Sequence, residues 1–110
     1  MANSFKNFVA GAVGTATINV YTVPAATQAT VIGMSIANLN VSPVSANVSV
    51  FHAPSSNSIF MVKQATIAAG GALVPIGGDQ KLILEAGDKL QVQMNGDSSA
   101  DVIVSVLEVS

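Results

Sequence analysis

Turn-forming residues recur about every eight to twelve positions along this 110-residue chain, and short runs rich in Val, Ile, Thr and Phe fill the gaps between them. Runs this short cross a sheet comfortably, and their β-branched side chains lose rotamers in a helix but pack well on a pleated surface. The breaks fall at Pro24-Ala25-Ala26, Asn38 to Pro43, Pro54 to Asn57, Gly70-Gly71, Gly77-Gly78-Asp79, Glu85 to Asp88 and Asn95 to Ser99. This punctuation predicts an all-β, single-domain antiparallel β-sandwich, jelly-roll-like, with eight or nine short strands.

Side chains alternate faces along a strand, so each run also predicts what it buries. In Ala29 to Asn38, the larger set Ile32, Met34 and Ile36 is expected in the core, with Val31, Gly33, Ser35 and Ala37 on the other face. Val44 to Phe51 is the cleanest half-buried strand, with Val44, Ala46, Val48 and Val50 on one side. The alternation is poorer from Ile59 to Ile67. Asp101 to Val109 is apolar on both faces, the mark of a central or interface-forming strand. Gly87 supplies the positive φ that the turn from Glu85 to Asp88 needs, and Asn95-Gly96 carries the strongest hairpin signal in the chain. Residues 1–14 read as an N-terminal arm or an edge strand, and residues 15–110 as the β-sandwich. Phe5, Phe8, Val9, Ala12 and Val13 fall at helical spacing, but Gly11 and Gly14 oppose a helix there.

Hydrophobic residues make up 50% of the chain and charged residues 9%, far from the composition that keeps a chain disordered. So few charges leave apolar surface to be covered by a partner or by further copies. The four basic residues, Lys6, Lys63, Lys81 and Lys89, are scattered, and the formal net charge is −2, so no basic patch is offered to nucleic acid. No apolar run approaches the ~20 residues of a membrane span, and no membrane partner is expected. Lys6 and the stretch from Phe8 to Gly14 lack the continuous apolar segment and cleavage region of a signal peptide. There is no cysteine, so disulfides, thiolate metal sites and cysteine nucleophiles are excluded together.

The inventory for chemistry is short. The single histidine, His52, stands at a strand end, and no Gly-x-Ser-x-Gly elbow surrounds any serine. The close carboxylate pairs, Glu85 with Asp88 and Asp97 with Asp101, fall in turns, where aspartate is favoured for its local hydrogen bonds. Asp79, Glu85 and Asp88 lack the dense spacing of a calcium loop, and the Gly-Gly pairs lack the Lys and Ser/Thr of a phosphate loop. Tyr21 is the one aromatic residue suited to a sugar platform. These readings predict no enzyme activity, no cofactor and no metal.

The succession Val20-Tyr21-Thr22-Val23-Pro24-Ala25, Val31-Ile32-Gly33-Met34-Ser35-Ile36-Ala37-Asn38, Gly77-Gly78-Asp79-Gln80-Lys81, Leu84-Glu85-Ala86-Gly87-Asp88 and Val104-Ser105-Val106-Leu107-Glu108 resembles the small virion structural proteins of tailed bacteriophages. The resemblance runs from about Phe5 to Val109 and includes proteins that decorate or cement the capsid. It implies an all-β sandwich without enzyme activity, made in the host cytoplasm and attached to the virion, foremost at the capsid surface. The expected partner is the major capsid protein or another virion protein. A homo-oligomer is also expected, a trimer at local threefolds first and a dimer second. A neck, tail or fibre-associated module that recognises a virion partner or a host receptor is the alternative. Phe5, Phe8, Phe51 and Phe60, the largest apolar side chains, are the candidate protein contacts.

Overall fold

The computed structural model describes residues 3–77 and 80–110. Its strands are β1 (Asn3–Val13), β2 (Ile18–Thr22), β3 (Gln28–Asn38), β4 (Val44–His52), β5 (Asn57–Ile67), β6 (Ala72–Ile76), β7 (Leu82–Leu84), β8 (Lys89–Met94) and β9 (Ala100–Val109). One antiparallel sheet runs β1-β9-β3-β6, with β7 also paired to β3, and the other runs β2-β8-β4-β5. The two short strands β6 and β7 therefore share one edge of the first sheet. Among the described residues, only β4 and β5 are consecutive strands that also pair along their length. Most other connections cross from one sheet to the other, which gives the strand order of a jelly roll.

The chain crosses because neither sheet can bury its apolar face alone; each covers the other. Val31, Ile36, Val48, Ile76, Leu90, Val92, Val104 and Val106 are all wholly buried between them. In β9, Val102, Val104 and Val106 point inward, and the strand lies between β1 and β3, as its two apolar faces predict. In β4, Val44, Ala46 and Val48 are buried as the alternation requires, while Val50 is only partly so.

Two sequence expectations fail. In β3 the register with β9 shifts between Val31 and Gly33, so the alternation slips at Ile32. Val31 then joins Met34 and Ile36 in the core, and Ile32 is left partly exposed. A bulge inserts one residue, and a period of two cannot survive that insertion. Asn95-Gly96 does not close a hairpin, because β8 and β9 belong to different sheets. Asn95 is instead captured by the start of β4: its N–H donates to the Ser45 carbonyl (3.1 Å), and its Oδ1 accepts from the Ser45 N–H (2.9 Å). The positive φ of that loop falls on Ser98.

The poor alternation of β5 also has a cause. Its pairing with β4 is broken twice, and Gln64 takes a φ of 56°, with its N–H donating to Asn47 Oδ1 at 2.7 Å. The expected turn at Gly87 does form, at φ 87°.

Candidate functional site

Of the described residues singled out for chemistry, His52, Asp88 and Asp101 bond to their own turns or to nearby backbone. His52 Nδ1 lies 2.9 Å from Ser55 Oγ, three residues on, in the exposed loop between β4 and β5. Asp88 is buried rather than solvated: Oδ1 accepts from the Ala53 N–H (2.9 Å) and Oδ2 from the Glu85 N–H (3.0 Å), which locks two loops together. Asp101 Oδ1 accepts from the Ala12 N–H at 2.9 Å, where the backbone of β1 departs from its regular conformation. Asp79 lies outside the described residues, and among those described no three His, Cys, Asp or Glu side chains converge as metal ligands.

One polar cluster escaped the sequence reading. Glu108 projects from β9 into the sandwich, where it is only 6% exposed. Its Oε2 accepts a 2.6 Å hydrogen bond from the Tyr21 hydroxyl on the opposite sheet, and its Oε1 lies 2.9 Å from Lys6 Nζ on β1. Tyr21 and Lys6 together hold the Glu108 carboxyl below the ordinary carboxylate range, since both favour the charged form over the cost of burial. Burial first, and then the Glu108 carboxylate, push the Tyr21 hydroxyl well above its usual range. The Tyr21 ring packs on Phe8, centroid to centroid 4.6 Å. The cluster pins β1 to both sheets, and no short motif announces it because its three polar residues are far apart in the chain.

The four phenylalanines do not form one surface. Phe8 points inward and is partly buried against the core. Phe5, 77% exposed, stands on the outer face of the sheet that contains β1 and β9. Phe51 and Phe60 stand on the outer face of the other sheet, each with a lysine over its ring: Lys89 at 5.1 Å and Lys63 at 5.2 Å.

The two outer faces differ in chemistry. On the sheet of β2, β8, β4 and β5, neutral polar side chains bond to one another across the strands. Gln91 Nε2 donates to Asn19 Oδ1 (2.9 Å), Ser49 and Ser58 donate to Gln91 Oε1 (3.2 Å each), and Asn47 donates to Gln93 Oε1 (3.3 Å). On the opposite sheet, Val9, Val74, Ile83 and Ile103 join Phe5 as large exposed apolar residues.

No family model matches the sequence, and no curated protein matches it. Solved structures with the same fold do exist, at low identity. One is of Bacillus endospore appendages, described as disulfide-linked pili: TM-score 0.57, 10% identity, covering 99% of this chain and 87% of that one. Another is from the acid-stable capsid of Helicobacter pylori bacteriophage KHP30: TM-score 0.53, 11% identity, covering 100% of this chain and 94% of that one. The shared property is the β-sandwich, and the cysteine-free chain has no means of forming the disulfide links of the pili.

Proposed function

We propose that the protein is a non-enzymatic structural component of a tailed-phage virion, a decoration or cement protein that stabilises the head by bridging major capsid protein subunits. The observation that carries this reading is the placement of exposed aromatic groups on both outer faces of one rigid sandwich, Phe5 on one and Phe60 on the other. A bridging protein needs contact groups that face away from each other, and simultaneous modest contacts gain from effective concentration. The sequence resemblance to small virion proteins and the fold shared with a phage capsid structure favour the same class. So does the use of Asp88 and His52 within turns.

The test adds the purified protein to phage heads assembled without it and measures occupancy by gel and electron microscopy. Saturable binding at symmetric surface positions is expected, reduced by Phe60→Ser. Failure to bind heads, together with absence from purified virions, overturns the proposal. Point substitution is preferred to truncation through Phe8, which also removes Lys6 and so unpins the fold.

A further inference from the structure

We infer that the outer face of the β1-β9-β3-β6 sheet is a self-complementary docking surface for a second copy of this chain, joined face to face about a twofold axis. The relief of the face carries the inference. The strand register aligns Phe5, Leu107, Thr30 and Ile83 in one row across four strands. It aligns Val9, Ile103 and Ser35 in a second row, beside Val74 on β6. Between these ridges runs a row of smaller groups, Asn7, Ser105 and Gly33, and a shallow depression opens there beside Phe5 and Ile32. A second depression opens beyond the Val9 ridge, at Gly11 and Asp101.

Ridge, trough, ridge and trough thus succeed one another every second residue, about 6.7 Å apart. A twofold axis that lies in the contact and runs across the strands, between the Ser105 row and the Ile103 row, lays each ridge of one copy in a trough of the other. The Ile103 ridge then meets the Ser105 trough, and Phe5 meets the trough where Gly11 leaves out a side chain. One operation satisfies both ridges, as an isologous contact demands.

Charge and area fit the same occupant. The outward residues of both ridges and of the trough between them are uncharged, and Lys6, which lines the first depression, is paired with Glu108 at 2.9 Å, so a copy meets no unpaired like charge there. Asp101, at the margin, faces Leu107 of the other copy rather than its own counterpart. Four strands about 4.8 Å apart and nine residues long make a face on the order of 600 Å² before its corrugation is counted. Roughly 800 Å² per partner is typical of a stable interface. Phe5, Val9, Val74 and Ile83, each between 62% and 77% exposed, supply the apolar area. The opposite sheet, hydrogen-bonded across its strands and with Phe60 at its β5 edge, stays outward on both sides of the dimer, so that with Phe5 taken up between copies the bridging contacts fall to the Phe51 and Phe60 faces of the two copies. Of the trimer and dimer expected from sequence, this geometry selects the dimer.

The test is sedimentation of the full chain over a dilution series. A reversible dimer is expected. Ile103→Lys, which sets a cation in the middle of the contact, should weaken it at least 100-fold, while Ser58→Lys on the opposite sheet leaves it unchanged. Melting curves of both variants check that the fold persists. A monomer at every concentration, a closed trimer, or a dimer indifferent to Ile103→Lys would overturn the inference. It does not depend on the virion reading. A monomer that still binds heads sinks the dimer alone, and a dimer that binds no heads sinks the cement role alone.

Discussion

Tyr21→Phe removes one oxygen and nothing else from the cluster that ties β1 to both sheets. The ring keeps its 4.6 Å contact with Phe8, but Glu108 Oε2 loses the 2.6 Å hydrogen bond that it accepts inside the sandwich. A hydrogen bond to a charged group contributes about 1.5–3 kcal/mol, and Glu108 at 6% exposure cannot recover it from bulk water, so a loss of about 2 kcal/mol is expected. For 110 residues the unfolding entropy near the midpoint is about 0.23 kcal/mol/K, which converts that loss to about 9 °C in Tm. The variant also carries a pH signature. Glu108 has a folded pKa below its ordinary 4.5, so its contribution is complete above that value and lost as pH falls through the lowered folded pKa. Because the Tyr21 hydrogen bond is the largest cause of that lowering, the deficit of Tyr21→Phe should be full at pH 7 and shrink in strong acid. Thermal melts followed by circular dichroism, taken in steps from pH 7 into strong acid, read both effects. An unchanged Tm at pH 7, or a deficit that never shrinks as far into acid as the fold persists, would refute a charged, buried Glu108.

Three further substitutions probe the packing, the turn and the loop lock. Ile36→Ala, at a wholly buried site, should cost about 3 kcal/mol in urea unfolding, whereas Val41→Ser, at a site 96% exposed, should stay within about 0.5 kcal/mol. Gly87→Ala places a side chain at φ 87° and 3.1 Å from the Ala53 Cβ; a loss of about 1–2 kcal/mol is expected by the same measurement. Asp88→Ala leaves the Ala53 and Glu85 N–H groups without their acceptors and should cost about 2–3 kcal/mol. Asp88→Asn, which retains one acceptor oxygen, should fall between that variant and the parent chain in the same assay.

The sequence by itself determined the fold class, the breaks between strands and most of the core. Turn residues and β-branched runs are local signals, and inward positions such as Val48 and Val104 follow from a period of two where nothing interrupts it. It also carried the positive φ at Gly87, because only the local backbone decides that. Tertiary structure alone decided which strand lies beside which, since the hairpin chemistry of Asn95-Gly96 yields to two hydrogen bonds with Ser45, fifty residues away. It likewise decided the phase of β3, because the slip at Ile32 depends on its register with β9, which residue 32 does not encode by itself. The same holds for the Lys6–Glu108–Tyr21 cluster and for the alignment of Phe5 with Leu107 and of Val9 with Ile103. Such groupings exist only once antiparallel strands are brought side by side, and no local pattern of residues records a neighbour that arrives from the far end of the chain.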